Sequence, residues 1–240
     1  MSRVISWFSC GAASAYATYL ASQKYENVEA VYCRVLEESK DNLRFLEQFE
    51  LKTGIPVKVI GNEKYKNSIY NVFRTKKFIK GTTGAPCTLE LKKNVRRAYQ
   101  KHDDIQVFGY TVEEQNRADR FIDSNNEVKE DFILLDNNIS KQDCLDWVVS
   151  MGFTLPEMYR LGYNNNNCIG CVKGGMGYWN AIRKDFPQAF DRMAKLEREI
   201  GYALLKDKNG QVFLDELEPY RGNFKRDLPP DCGFTCEIRK

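Results

Sequence analysis

From Arg3 to Met151 the apolar residues recur with two alternating periods. Short β-rich runs at Arg3–Phe8, Val28–Val35, Val57–Ile60, Ile105–Tyr110 and Phe132–Leu135 predict strands. Helical spacing predicts helices over Ala12–Gln23, Ser39–Thr53, Leu89–Lys101, Val112–Phe121 and Ser140–Met151. Leu43, Leu46 and Leu51 are among the apolar positions of the second helix, and Ser140 stands where the last one needs an N-cap. Strands alternating with helices through short connections predict a mostly parallel sheet of about five strands, covered on both faces.

Beyond Leu155 the pattern changes. The chain becomes irregular, with an Asn164–Asn167 run, a Cys-x-x-Cys and Gly174, Gly175 and Gly177. Helices are expected near Met176–Lys184 and from Pro187, followed by a hairpin over Leu204–Leu214 with Lys208-Asn209-Gly210 at its centre. The tail from Pro219 reads as loop, and so does the Asn run. Residues 1–153 are therefore read as a nucleotide-binding core and residues 154–240 as a small cysteine-containing C-terminal module.

Composition narrows the chemistry. The 240 residues carry a net charge of +3, a mild basic excess that suits phosphate-bearing ligands without establishing a nucleic-acid partner. The N-terminal apolar run is interrupted by Ser9, Gly11 and Ser14, so it reads as strand, turn and helix rather than as a signal peptide. No stretch approaches a membrane span, and a cytoplasmic location is expected. Eight cysteines without an export signal imply reduced thiols: packing residues, metal ligands or sulfur-handling nucleophiles. The single histidine, His102, excludes most histidine-based catalysis and most mixed Cys/His zinc sites.

Ser9-Cys10-Gly11-Ala12-Ala13-Ser14 falls where the first strand turns into the first helix. Small side chains there let backbone N–H groups approach phosphate oxygens at a positive helix end. The segment is neither a Walker A motif nor a dinucleotide fingerprint. Tight packing of a helix on a strand would use the same small residues.

The segment resembles the PP-loop, Ser-Gly-Gly-x-Asp-Ser, of ATP pyrophosphatases and sulfonucleotide reductases. Ser9, Gly11 and Ser14 match it, whereas Cys10 replaces the first Gly and Ala13 the Asp. Gly84 through Lys92 resembles the superfamily's Cys-x-x-Leu-Lys region, Gly109 through Arg117 its Gly…Glu…Arg turn, and Leu134 through Trp147 the helix entry after it. The resemblance implies an adenine nucleotide α-hydrolase-like three-layer α/β sandwich. Phosphates would lie on Ser9–Ser14, with Gly109 beside them and adenine against the backbone of Cys33, Arg34 and Val35. It also implies ATP with Mg²⁺ as ligand, and Lys92 and Arg117 as clamps on departing pyrophosphate.

Cys168-Ile169-Gly170-Cys171 can offer two thiolates to one metal from a single turn. Iron–sulfur members of the superfamily carry four cysteine ligands, and Cys87, Cys168 and Cys171 fall where that resemblance needs them. Cys232 or Cys236 would complete the set as a 4Fe–4S cluster. Structural zinc and no metal are the alternatives, because an all-thiolate set suits either metal. Cys33 and Cys144 read as core thiols. Cys232-Gly233 is also similar to the reductases' nucleophile tail, although Asp231 and Thr235 depart from it.

Among the charges, helical spacing places Lys93, Arg96, Arg97 and Lys101 near one face, either a phosphate-binding surface or a solvated one. Arg117 and Arg120 come after a strand's C-terminal end, where open sheets bind ligands. Lys173 is a candidate anion contact, and Tyr110 and Tyr163 are candidate base platforms. Tyr178 and Trp179 read as core.

Three functions are compatible with these features. The first is an ATP pyrophosphatase that adenylates a nucleic-acid acceptor for sulfur transfer, as DNA phosphorothioation or tRNA thiolation with a cysteine desulfurase as partner. The second is a sulfonucleotide reductase with Cys232 as nucleophile and a thioredoxin-like partner. The third is a nucleotide-binding subunit without turnover.

Overall fold

The computed structural model describes residues 2–81 and 84–226. β1 (Val4–Trp7) leads through the Ser9–Ser14 turn into α1 (Ala12–Lys24), and β2 (Val28–Cys33) is succeeded by α2 (Asp41–Thr53) and β3 (Val57–Ile60). α3 (Ile69–Lys76) comes next, and then one composite helix, α4. It consists of Pro86–Thr88, a π-turn over Leu89–Lys93 and Asn94–Tyr99. β4 (Ile105–Val107), α5 (Gln115–Ser124), β5 (Lys129–Asp131), the single turn α6 (Ile133–Asp136) and α7 (Lys141–Ser150) complete the sheet region. The C-terminal region contains α8 (Glu157–Arg160), α9 (Met176–Asp185), α10 (Pro187–Ile200) and the hairpin β6 (Leu205–Asp207) and β7 (Gly210–Val212).

The sheet is parallel throughout, in the order β3-β2-β1-β4-β5, with Val4 opposite Val28 on one side and Ile105 on the other. Crossovers run outward from β1 in both directions, so the β1/β4 crevice is the topological switch point. Period-two alternation divides the faces. Val4, Phe8, Ala30, Tyr32 and Val107 pack with α1, α2 and α7. On the opposite face Trp7 Nε1 donates to Gln106 Oε1 at 3.0 Å, and the Trp7 ring meets Tyr99 of α4 edge-on. The fold is thus a three-layer α/β sandwich with a parallel sheet. On the α1 side, Phe8, Phe45, Phe49 and Phe153 form one aromatic cluster. Each such ring, fully buried, contributes about 1.5–3 kcal/mol.

One expected element is displaced, and the buried positions of another differ. The fifth strand is Lys129–Asp131, and most of the apolar run Phe132–Leu135 is helical instead. Its side chains still bury on both sides, with Phe132 in the Phe108 cluster and Leu134 against α1's core. A short apolar run does not distinguish these outcomes by period. In α2, Phe45, Leu46 and Phe49 are the buried apolar positions, while Leu51 is 86% exposed. Ser140 does cap α7, accepting from the Asp143 N–H as the Asp143 carboxylate accepts from Ser140.

The C-terminal helices and hairpin enclose Trp179, Met193, Leu196 and Leu214. That core also takes in Tyr70 and Phe73 of α3 and Leu91 of α4. At its centre the Glu197 carboxylate, fully buried, accepts from Leu204 N–H at 2.5 Å and Leu214 N–H at 2.7 Å and so fixes both ends of the hairpin. Burial pushes its pKa up to about 7, with the two N–H donors opposing.

Raised above its unfolded value, this group binds its proton more tightly in the folded chain. The associated stability is complete below about pH 4.5 and is lost as pH rises through 7. Denaturant midpoints measured from pH 4.5 to 7.5 are expected to show this decline, amounting to no more than about 3 kcal/mol. Glu197→Gln is expected to flatten it.

Candidate functional site

The loop after β1 is braced by the Ser14 hydroxyl. Ser14 Oγ accepts from Ser9 N–H and from Ser9 Oγ, both at 3.0 Å, and donates to Gly11 O at 3.0 Å. The turn closes on itself and then enters α1 at Gly11, whose own helix end has no side-chain cap. Among the amides of that end, Ala12 N–H faces the Tyr159 hydroxyl. Ser6 Oγ lies 2.8 Å from Thr18 Oγ1, which in turn donates to Ser14 O at 2.7 Å, pinning α1 to β1.

Cys10 occupies the left-handed region, with φ at 57°. Residues other than glycine visit this region rarely and at a cost of about 1 kcal/mol or more. The cysteine thus retains a turn for which the PP-loop pattern has glycine. Its thiol is fully buried; burial and then Glu38 hold its pKa far above the ordinary range. It packs the turn and is not a thiolate nucleophile. Gly109, at the end of β4, lies directly against the loop: a Cβ there would stand 2.8 Å from Ser14 N and 2.9 Å from Ala13 C and O. The loop therefore sits at the switch point, held from below by a residue without a side chain.

On the β2 side, a buried polar chain ties the loop to three other elements. The Glu38 side chain is 2% exposed; its Oε1 accepts from Lys92 Nζ at 2.8 Å. Oε2 accepts from Tyr32 OH at 2.6 Å and Asn42 Nδ2 at 3.2 Å. Asn42 Oδ1 accepts from Asn166 Nδ2 at 2.8 Å, and the same Asn166 amide donates to Cys10 O at 2.6 Å. Burial works against the Lys92 charge, but Glu38 outweighs it and keeps the ammonium above its ordinary range. From the C-terminal module, Tyr159 places its hydroxyl beneath the loop. Burial raises its pKa to about 12, against the facing backbone amides of Ala12 and Asn166.

The cysteines expected as metal ligands are brought to one region. Burial raises Cys168 well above the thiol range, with Glu38 adding, Lys92 opposing, and Cys171 and Cys87 within electrostatic reach. Cys87 is pushed up to about 11, again by burial first and Cys171 second. Among the described residues, however, no three His, Cys, Asp or Glu side chains are arranged to hold a metal ion. The soft donors converge without forming a ready-made ligand set. Cys232 and Cys236 lie outside the described residues. Cys144 is fully buried, as expected of a core thiol, and Cys33 is pushed up to about 11, chiefly by burial.

Several expected contacts are committed elsewhere. Arg96 is buried rather than on a basic face: it donates to Asn125 Oδ1 at 3.0 Å, and its guanidinium lies over Phe121 and Phe108. Lys93, Arg97 and Lys101 are exposed, and Arg96 alone of the four leaves that surface. Arg117 donates to Glu114 at 2.5 Å and stacks on Tyr110, whose ring also stacks on Phe132. Tyr163 is buried, donates to Asp185 at 2.8 Å and lies under Arg226. Neither tyrosine offers a free face to a base. Arg34 N–H donates to Ile60 O at 2.8 Å and Leu36 N–H to Asn67 O at 2.9 Å, which removes two of the amides at the strand end from any contact with adenine.

Sequence reasoning missed Glu38, Asn42, Tyr159 and Asn166. The one local signal was the position of Glu37-Glu38 just past β2, at the sheet's C-terminal edge. Asn166 lay inside a run that read as loop.

No family model matches the chain. An uncharacterized protein of Methanocaldococcus jannaschii is 20% identical over 232 residues, covering 93% of this chain and 52% of its own length. The chain thus spans about half the length of this curated relative. Among solved structures, the U34-tRNA thiolase NcsA from Methanococcus maripaludis with its 4Fe–4S cluster is 14% identical. That likeness covers 94% of this chain and 83% of the thiolase chain, with a TM-score of 0.49. No described helix is long and apolar enough to cross a membrane.

Two substitutions test this site. Gly109→Ala drives a methyl group into the loop backbone. It is expected to cost about 1–3 kcal/mol in unfolding titrations and to weaken ATP binding by calorimetry at least about tenfold. Lys92→Met leaves the Glu38 carboxylate buried without its cation, a loss of about 1–3 kcal/mol after allowing for the half-exposed lysine. Adding Glu38→Gln is expected to restore most of the thermal midpoint. Additive losses would show that the pair is not coupled.

Proposed function

We propose that this chain binds ATP at the β1/β4 switch point and cleaves it between the α- and β-phosphates, adenylating a nucleic-acid acceptor for sulfur transfer. One observation carries the reading: a small-residue turn with a left-handed second residue, opening a helix at the switch point, with Gly109 against its backbone. An acceptor oxygen attacks the α-phosphorus and pyrophosphate leaves. The outer sulfur of a partner's persulfide, of the kind a cysteine desulfurase makes, then attacks the activated atom and displaces AMP. A second thiol attacks the persulfide's inner sulfur, breaks the S–S bond and leaves the acceptor thiolated and the two thiols joined as a disulfide. Loop amides and Lys92 stabilise the charge that develops on pyrophosphate. Mg²⁺ enters as the MgATP substrate. Uridine-type thiolation in tRNA and phosphorothioation of DNA are the two acceptor chemistries consistent with this scheme.

A second reading, a sulfonucleotide reductase, is favoured by one residue. Ala13 stands where the ATP-cleaving pattern has Asp, and reduction of adenylylsulfate needs no phosphate hydrolysis.

With anaerobically purified protein, ATP labelled at the α-phosphate and Mg²⁺, AMP and pyrophosphate are the expected products. Ser9→Ala should lower the rate at least about tenfold by removing a donor from the phosphate cradle. ADP and phosphate as products would overturn the reading. So would absence of AMP together with Cys232-dependent sulfite release from adenylylsulfate, which would establish the reductase.

A further inference from the structure

The loop that carries Asn166 has two faces, and the second borders a cleft that the proposed ATP site does not use. Asn166 points its amide inward, to Cys10 O and Asn42 Oδ1. The polarity of this chain is fixed at both ends by groups that only accept, the Glu38 carboxylate and the Cys10 carbonyl. Asn164, Asn165 and Asn167 are exposed, and their carboxamides make no hydrogen bonds among the described residues. They line a cleft of about 310 Å³ together with Lys173, Phe224 and Cys171. Its wall is aromatic: Phe224 meets Tyr163 at 5.2 Å and Tyr178 at 5.9 Å between ring centroids. The Tyr178 hydroxyl is already occupied, accepting from Cys171 N–H at 2.9 Å and donating to Cys168 O at 3.2 Å. The Tyr163 hydroxyl is held by Asp185 and its ring is buried, so Phe224 is the apolar surface that the cleft offers to a ligand. No carboxylate lines the cleft, and Lys173 pairs with none among the described residues.

We propose that this cleft binds one unstacked nucleobase of a single-stranded nucleic acid. The base lies against Phe224, its edge is read by the carboxamides of the Asn164–Asn167 loop, and its flanking phosphate is held by Lys173. Each element answers one part of the ligand. An aromatic wall stacks on a base, a carboxamide matches the paired donor and acceptor on a base edge, and a lone cation suits a phosphodiester. The volume lies at the small end of ligand pockets, suitable for one base and unable to admit a duplex. Because Asn166 joins this loop to the Cys10 turn, the base sits one loop's thickness from the phosphate cradle, with Cys171 in its wall. The assignment names the acceptor subsite of the sulfur-transfer reading and rests on that reading for its purpose.

The test uses fluorescein-labelled single strands of mixed sequence, one RNA and one DNA, with anisotropy as readout on the full chain. The competitors are a duplex of the same sequence and a free mononucleotide. Asn165→Ala/Asn167→Ala is expected to weaken single-strand binding roughly tenfold. Lys173→Gln is expected to lower the slope of log affinity against log salt by about 0.7, the loss of one phosphate contact. Both changes lie at exposed positions, so thermal midpoints should stay at the wild-type value. The duplex should compete at least about tenfold less well than the single strand. The tighter of the two strands identifies RNA or DNA as the source of the base.

Wild-type affinity in the asparagine variant, an unchanged salt slope, equal competition by duplex, or full competition by the mononucleotide would overturn the proposal. AMP release from labelled ATP is measured on the same preparations to separate the two ideas. AMP formation with cleft-independent strand binding rejects the cleft alone. Cleft-dependent strand binding without AMP rejects the sulfur-transfer reading and leaves the base site standing.

Discussion

The architecture of the site depends on one buried carboxylate. Glu38 lies in the connection between β2 and α2 with almost no solvent contact, and a charge in that position is tolerated only if every lone pair is answered. It is answered from three directions, by Lys92 of α4, Tyr32 of the sheet and Asn42 of α2. Asn42 passes the chain on to Asn166 and so to the phosphate loop. Elements far apart in sequence are held at one point by the requirement to neutralise a single charge. The neighbouring Glu37 repeats the arrangement for the outer layer: its carboxylate accepts from Ser68 Oγ and Ile69 N–H at the start of α3, and its carbonyl accepts from Ile169 N–H between the paired cysteines.

This accounts for what was legible in the sequence. The sheet could be read because its strands are short β-rich runs between helices with local signals: Ser140 as cap, Pro187 at a helix start, Lys208-Asn209-Gly210 in a hairpin. The Ser9–Ser14 turn from strand to helix could be read because its small residues are contiguous. The Glu38 network could not, since its members come from separate elements and none is unusual in its own segment. Asn166 differs from Asn164, Asn165 and Asn167 only in which way it faces. The buried role of Arg96 was hidden for a different reason: the groups that hold it, Asn125, Phe108 and Phe121, all come from outside its own helix.

The thiols show how far composition alone reaches. Eight cysteines suggested sulfur or metal chemistry, yet the described ones are buried to differing degrees. Burial raises the thiol pKa of Cys10, Cys33, Cys87, Cys144 and Cys168. Cys10 acts as a turn residue and Cys144 as core filling. Cys171 lines the cleft, and Cys168 is near enough to Glu38 and Lys92 to be influenced by both.

The π-turn of α4 has a consequence for how the two halves of the molecule fit. Before it Cys87, and within it Leu91, belong to the core shared with α9 and α10; after it, Arg96 lies over the rings of Phe108 and Phe121 beside the sheet. An ordinary helix advances about 100° per residue, so one inserted residue rotates the second half by about that angle relative to the first. The turn works as a fixed rotary joint: a single rod engages two cores whose surfaces are not in phase. Removing one residue there would leave a better helix that could serve either core but not both.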